Sequence, residues 1–357
     1  MEIKRMAKNF FIKRFIMVYL IQATKISIAL GINEIIFAFY NTILTIMVKY
    51  CLCLFFIVFS FFQLIGQVLV LDTIRMQQLN LKYGSLRSYK AQKNGESRRL
   101  DIWLPEHYSP KKKYNVLYMH DGQMLFDSTQ TWNHQEWKVD EVLSSLLIDE
   151  KINPTIVVGI WNDPANRYAE FFPEAIYADL DTNFSGKYIR ELWHQELRAD
   201  AYLKWIVDTI IPAVQQEFSC YDGKSHTFMM GSSMGAVISM YAMCMYPKIF
   251  GKVACMSFHG PMVNIAMVEE NHLDKMMLPF ISFLKRNLPS QRGRYIYLDR
   301  GDKELDALYP PYHKLLNEFI SSRYKRQHFK SLVFNEQGHN EKDWSKRLEI
   351  PMGFLLK

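Results

Sequence analysis

The chain has 357 residues, of which 49% are hydrophobic, 22% charged and 14% aromatic. This composition excludes a disordered tail and a collagen-like fibre, and it predicts one or two globular domains. The formal net charge is +7, but residues 1–75 hold eight basic and three acidic side chains, so the rest of the chain carries only +2. A nucleic-acid-binding domain presents a basic face in its folded body. The distribution therefore argues against nucleic acid as a partner.

An apolar run without any charged residue occupies 51–71, with Lys49 two residues before it. Its length suits a transmembrane helix, but a basic residue, an apolar stretch and a small residue at Gly66 are also typical of a signal peptide. We favour the signal peptide, with residues 47–66 as this segment and cleavage after Gly66. Residues 1–46 then precede the initiator Met47 as an extension, and a second membrane-inserted segment there is the alternative. We expect the folded part to be exported to the periplasm or secreted, or else anchored to a membrane by its N-terminal segment.

The cysteines predict neither a disulfide framework nor a metal site. Behind the leader only Cys220, Cys244 and Cys255 remain, an odd number without the spacing of metal ligands. Cys244 and Cys255 each lie in an apolar run, where a buried thiol usually acts as a small hydrophobic side chain. We expect no metal and no organic cofactor.

Strand-like and helix-like patterns alternate behind the leader. Strands are predicted at 99–104, 114–120, 155–161, 227–230, 252–257, 294–298 and 331–335, and helices at 139–147, 199–218, 234–245, 272–284 and 312–324. Several of the strand runs are too apolar for a half-exposed sheet. The alternation predicts an α/β fold with a mainly parallel central sheet and helices on both faces. Because ligands of such sheets bind at the carboxyl ends of the strands, we expect the chemistry there.

The strongest motif is G-x-S-x-G at Gly231, Ser233 and Gly235, between an apolar strand and a helix. A strand that turns abruptly into a helix strains its corner residue, and small flanking residues let the chain pass. Ser233 would expose its hydroxyl at this corner, with the Met234 N–H beside any oxyanion that forms there. Ser232 is out of frame and is predicted to pack or to cap the turn.

A serine nucleophile needs a base and an acid that orients the base. His339 lies in a loop after the last predicted strand and is our candidate base. His259 follows another strand and either lines the pocket or is a structural histidine. The acid is expected after the strand 294–298, where four carboxylates compete, and the spacing does not separate the three in the loop. These four are Asp299, Asp302, Glu304 and Asp306.

Four segments give the chain a resemblance to a known family. They are the segment 117–126 with His120-Asp121-Gly122-Gln123, the segment 158–161 with Arg167, Glu170 and Pro173, the elbow 231–235, and Gly338-His339-Asn340-Glu341 with Trp344. In this order they resemble the esterase D/enterochelin-esterase-like group of α/β-hydrolases, which includes feruloyl and acetylxylan esterases. The resemblance covers most of residues 80–357 and implies that 67–357 form an α/β-hydrolase catalytic domain.

The resemblance also implies roles for individual residues. Ser233 corresponds to the nucleophile and His339 to the base, while the residue after His-Asp-Gly, here Gln123, would donate its backbone N–H to the oxyanion beside that of Met234. Relatives with a Leu-Asp-Ala-Leu-Tyr pattern favour Asp306 as the acid, and others favour Glu304. We expect Asp306. Arg167 and Glu170 are expected to form an ion pair that orders the loop after Trp161.

The predicted activity is hydrolysis of carboxylic esters through an acyl-enzyme. The expected ligand is a small-molecule or carbohydrate ester, including siderophore-type esters, and membrane contact is expected only through the N-terminal segment. Acyl transfer on the same fold and a non-catalytic binding module are the alternatives. The sequence does not fix the oligomeric state.

Overall fold

The computed structural model describes residues 42–43, 45–50, 68–71, 79–93, 96–180, 196–263 and 272–357. The chain divides into two compact units, Met1–Gly66 and Gln67–Lys357. In the first unit, residues 45–50 are helical. Within the described residues no helix has the length and apolarity needed to cross a membrane. Most of the expected signal or membrane segment, residues 51–66, lies outside the described residues.

The second unit is built on a nine-stranded sheet with the order β1-β2-β3-β5-β4-β6-β7-β8-β9. The strands from β4 to β9 pair in parallel, whereas β1, β2 and β3 pair antiparallel along one side, β3 with β5. The mainly parallel sheet confirms the predicted fold class. The strands are β1 (Val68–Leu71), β2 (Ser85–Lys93), β3 (Glu96–Leu104), β4 (Asn115–His120), β5 (Thr155–Ile160), β6 (Thr227–Ser232), β7 (Lys252–Met256), β8 (Tyr295–Arg300) and β9 (Phe329–Val333).

Helices cover both faces of this sheet. They are α1 (Val139–Ile148), α2 (Arg167–Phe171), α3 (Ala199–Trp205), α4 (Ile211–Glu217), α5 (Met234–Met245), α6 (His272–Asn287), α7 (Pro310–Ser321), α8 (Glu341–Arg347) and α9 (Glu349–Leu355). Because side chains of a strand alternate between faces, Val116 and Tyr118 of β4 join the core with α3 to α7, while Leu117 and Met119 join the core with α1, α8 and α9.

The predicted helix 199–218 is interrupted. A π-helical stretch, Ile206–Ile210, separates α3 from α4. Pro212 lies just inside α4 and has no backbone N–H to donate to the preceding turn, so the regular α-helical hydrogen bonding cannot continue through this position. The predicted strands, in contrast, all match observed ones to within a few residues. Cys244 and Cys255 are buried free thiols, as expected, and Cys220 is buried and free as well.

Candidate active site

Ser233 is the corner between β6 and α5. Its backbone has φ 56° and ψ −125°, a strained conformation for a residue with a side chain. The Ser233 N–H donates to the Met256 carbonyl over 3.0 Å, which fixes the corner against the end of β7. Met234 is the first residue of α5, and the N–H groups of a helix's first turn have no partner within the helix.

The two glycines of the motif are not equivalent. A Cβ on Gly231 would lie 2.7 Å from the carbonyl carbon and oxygen of Gly235, closer than real side chains approach. A Cβ on Gly235 would lie 3.5 Å from its nearest neighbours, the Asp121 carboxylate and the His120 Cβ, which is ordinary contact. The crowding therefore falls on Gly231, where strand and helix backbones cross.

His339 and Asp306 are brought together at the carboxyl ends of β9 and β8. The Nδ1–H of His339 donates to Asp306 Oδ1 over 2.6 Å. Asp306 is fully buried and lies in a 3-10 turn, Glu304–Leu308. Glu304 instead accepts the backbone N–H of His339 over 2.9 Å, and Asp302 accepts the backbone N–H of Glu336 over 2.7 Å. Among the three loop carboxylates, only Asp306 meets the imidazole within the described chain.

Tyr309 links these residues to Ser233. Its ring stands edge-on to the His339 imidazole, with 5.6 Å between the centroids. Burial raises the pKa of the Tyr309 hydroxyl well above its usual value, and a hydrogen bond from the Ser233 side chain acts in the opposite direction. The same hydroxyl meets His259 Nδ1 at 2.5 Å. Tyr309 was not predicted to have a role, and its position three residues after Asp306 was the available signal.

His259 is a structural histidine whose ring nitrogens are both occupied. Its Nε2–H donates to the Val263 carbonyl over 2.8 Å, so Nδ1 is left to accept the proton of the Tyr309 hydroxyl. Burial lowers the pKa of His259 to about 4. The residue is therefore neutral near pH 7. Of the two roles considered from the sequence, lining the pocket or being a structural histidine, the second fits these contacts.

Gln123 lies in the turn after β4, in the 3-10 helix Gly122–Met124. The turn packs tightly, because a Cβ on Gly122 would lie 2.5 Å from the carbonyl carbon of Gly159 in β5. The side chain of Gln123 accepts the backbone N–H of Asn162 over 3.3 Å. Asp121 precedes the turn with φ 56° and ψ 45°. The turn is thus held from both sides at the carboxyl edge of the sheet.

The expected Arg167–Glu170 ion pair is wrong. Arg167 forms a bidentate pair with Asp121, with both contacts at 2.8 Å, and Glu170 pairs with Arg98. Burial raises the pKa of Asp121, but the Arg167 guanidinium and its hydrogen bonds outweigh burial and hold this pKa below its usual value. A half-buried carboxylate beside the elbow is stabilised by a cation, and Arg167 supplies it.

Two further residues contact the Asp306 carboxylate and were not found from sequence. The Ser257 hydroxyl donates to Asp306 Oδ2 over 2.6 Å, and the buried Arg347 guanidinium lies 3.7 Å from the same oxygen. Nothing in the local sequence marks Arg347 as buried, since it ends a short polar helix. In the described part of the chain, no group of three or more His, Cys, Asp or Glu side chains is arranged to hold a metal ion.

Comparison with known proteins places the chain among esterases. A Bacillus subtilis (strain 168) protein, "Uncharacterized protein YbbA", is 29% identical over 177 residues, which are 49% of this chain and 60% of that protein. The chain thus spans less than two thirds of this relative.

The solved structures of similar fold include two esterases. The enterobactin esterase FES from Shigella flexneri, solved in the presence of enterobactin, has a TM-score of 0.54 at 18% identity, over 78% of this chain and 60% of that chain. A ferulic acid esterase has a TM-score of 0.51 at 15% identity, over 77% of this chain and 99% of that chain. A model of the family described as "Putative esterase" matches residues 91–351, and the chain therefore belongs to this family.

Proposed function

We propose that the protein is a serine esterase with Ser233 as nucleophile, His339 as general base and Asp306 as the acid that orients it. The observation that carries the proposal is the contact of Asp306 with the His339 imidazole at 2.6 Å, on the same carboxyl edge as the strained Ser233 corner. Because the Asp306 carboxylate accepts the Nδ1–H of His339, Nε2 is the basic nitrogen of the imidazole. The backbone of Ser233 accepts the His259 N–H over 3.4 Å, and His259 bonds the hydroxyl of Tyr309, whose ring packs on His339; this chain of contacts supports the proximity of Ser233 and His339.

In the proposed reaction His339 Nε2 takes the Ser233 proton while Oγ attacks the ester carbonyl. The backbone N–H groups of Gln123 and Met234 hold the oxyanion of the tetrahedral intermediate. His339 then protonates the departing alcohol, and an acyl-enzyme remains. Water repeats the sequence with His339 as base, and the carboxylic acid is released.

The acid is well suited to stabilise the imidazolium that forms. Asp306 is fully buried, and its second oxygen accepts the Gly301 N–H and the Ser257 hydroxyl, each over 2.6 Å. Its orientation is therefore set before substrate binds, which lowers the reorganisation needed in the transition state.

Trp132 supports an ester with a planar or ring-shaped group as substrate. Its side chain is 83% exposed, although its segment is fixed: Asn133 donates to Glu341 over 2.7 Å, and Lys342 donates its N–H to Gln135 over 3.1 Å. These partners lie two and three residues after His339. An exposed indole on a fixed segment suits stacking on a ring. Aryl and carbohydrate esters, including siderophore-type esters, are thus the proposed class.

A fluorophosphonate probe tests the nucleophile. We expect covalent labelling of the wild-type protein and of Ser232→Ala, and no labelling of Ser233→Ala. Ser232 is the matched control, since it is the buried neighbour in the same turn. Labelling that survives Ser233→Ala contradicts the assignment. Hydrolysis of p-nitrophenyl esters of graded chain length, beside acetylated and feruloylated xylan, then defines the acyl group.

We further propose that the folded part is exported by the segment 47–66. Sequencing the N-terminus of protein isolated from cells tests this, because cleavage leaves Gln67 first. An N-terminus at Met1 or Met47 contradicts cleavage and favours a membrane-anchored protein.

A further inference from the structure

A buried ion pair lies behind the candidate triad. Arg347 and Asp299 are 1% and 0% exposed, and the guanidinium Nε and Nη2 lie 3.2 and 3.3 Å from the two carboxylate oxygens. Asp299 also accepts the Ser257 N–H over 3.0 Å and the Tyr297 hydroxyl over 2.9 Å. Since desolvation often cancels the attraction within a buried pair, such a pair is weak support for a purely stabilising role.

Ser257 connects this pair to the candidate acid. Its hydroxyl donates to Asp306 Oδ2 over 2.6 Å and accepts from Arg347 Nη2 over 2.8 Å and from Trp344 Nε1 over 2.9 Å. The Ser257 hydroxyl can donate one proton. Because Arg347 and Trp344 are both donors, that proton goes to Asp306. Asp306 Oδ2 is thus occupied, and Oδ1 is directed at His339.

The charges of the cluster are unbalanced by one. Asp299 and Asp306 are two carboxylates, and Arg347 is one cation. Burial raises the pKa of Asp299, and Arg347 with the hydrogen bonds from Ser257 and Tyr297 offsets only part of this rise. Both Asp299 oxygens nevertheless accept hydrogen bonds, from the Ser257 N–H and the Tyr297 hydroxyl, and both pair with the guanidinium, which is the arrangement of an ionised carboxylate. With both carboxylates ionised, the cluster carries one net negative charge next to a neutral imidazole. Protonation of the imidazole cancels that charge.

We propose that Asp299, Arg347 and Ser257 are positioning residues that orient Asp306 and leave one net negative charge facing His339, so that the imidazolium formed during catalysis completes a neutral buried cluster. The proposal rests on the proposed roles of Asp306 and His339. It assigns a function to Asp299 and Arg347, which do not contact the reacting groups.

Other ionisable groups also face His339. Glu304 accepts its backbone N–H, and the carboxyl of Glu341, whose pKa burial raises, also lies close to the imidazole. Neutral His259 lies behind Tyr309. On the far side, the Arg347 guanidinium donates to Gln337 Oε1 and lies over the Phe334 ring. Glu304, Glu341 and His259 stay unchanged in the variants below, so differences between variants report on the Asp299–Arg347 pair.

The test changes the charge of the pair one unit at a time. Asp299→Asn leaves a neutral cluster, Arg347→Gln leaves two negative charges, and the double variant restores one. The first readout is the midpoint of the acid limb in the pH dependence of kcat/KM for p-nitrophenyl acetate. The second is the midpoint of the NMR titration of the His339 imidazole, whose resonance is assigned by its absence in His339→Asn. We expect Asp299→Asn to move both midpoints to lower pH by about one unit, because a less negative cluster disfavours the imidazolium. Arg347→Gln should move them to higher pH, and the double variant should restore them.

A merely structural pair would lower activity or stability without this pattern. Midpoints that stay in place in Asp299→Asn, or that move in the same direction in both single variants, overturn the proposal. If one single variant fails to fold, the other single variant should still shift the midpoints, and the double variant should still show the wild-type midpoints. The NMR titration needs no turnover, so a wild-type protein that neither hydrolyses esters nor reacts with the fluorophosphonate refutes the proposed function separately.

Discussion

Gly231 and Gly235 approach so closely that a Cβ on Gly231 would lie 2.7 Å from the carbonyl carbon of Gly235. This contact is where the end of β6 crosses the start of α5, and it holds Ser233 in its strained conformation. The serine corner thus depends on backbone packing as well as on the serine itself.

Gly231→Ala should destabilise the protein, because neither backbone can move without opening the corner. We expect a loss of about 1–3 kcal/mol in the free energy of unfolding, measured by urea denaturation. Gly235→Ala is the matched control, since its Cβ would find ordinary contact at 3.5 Å and should change stability by less than about 1 kcal/mol. Equal losses in the two variants would contradict this explanation.

The central strands were predictable because they are buried on both faces. Every residue of β4, β5 and β6 is buried, and such strands appear in a sequence as short continuous apolar runs. Helix α5 has the predicted bounds, 234–245, since the motif fixes its start. Strand β1 (Val68–Leu71) was missed because it lies within the apolar run 51–71 that was attributed to the leader. Strand β2 was missed because it lacks such a run. In β2 the buried Ser88 pairs with the buried Asp101 of β3, so polar residues replace the apolar alternation that predicts a strand.

The choice of acid needed three-dimensional geometry. Asp302, Glu304 and Asp306 are separated by two residues each, and an irregular loop has no fixed period that would assign one to the imidazole. In the structure Glu304 has φ 52° and starts a 3-10 turn that directs Asp306 inward. The roles of these residues stay predictions, as do those of Gln123 and Met234. Ser257 and Arg347 were missed because their contacts join segments 90 residues apart.

Asp306→Asn should lower kcat for p-nitrophenyl acetate by about 10⁴-fold with the fold retained. An amide can donate to His339 Nδ1, which then no longer carries the proton, and Nε2 is no longer the basic nitrogen. Glu304→Gln is the control. Within the described residues its carboxylate accepts hydrogen bonds from the backbone N–H of His339 and the side chain of Asn340 and does not contact the imidazole, so most activity should remain. The reverse result would make Glu304 the acid.

Tyr309→Phe should lower kcat by about tenfold and leave KM almost unchanged, the effect of losing about one hydrogen bond. The ring that packs against His339 is retained, whereas the hydroxyl between Ser233 and His259 is lost. Tyr312→Phe, in the following helix, is the control and should keep wild-type kcat. Unchanged kcat in Tyr309→Phe would show that the Ser233 hydroxyl needs no partner besides His339.

His313 should make stability depend on pH. Burial lowers its pKa to about 4, whereas an unfolded histidine titrates near 6.5. Between these values the unfolded chain binds more protons than the folded one, so the free energy of unfolding falls as pH falls from about 6.5 to about 4. His120 and His259, with pKa values lowered to about 3 and about 4, act in the same direction. His313→Asn should therefore reduce the slope by about 1 kcal/mol per pH unit, since this side chain is only partly buried. Urea denaturation at several pH values measures the slope. His107→Asn, at an exposed position, is the control and should leave this slope unchanged. An unaltered slope in His313→Asn would contradict the lowered pKa of His313.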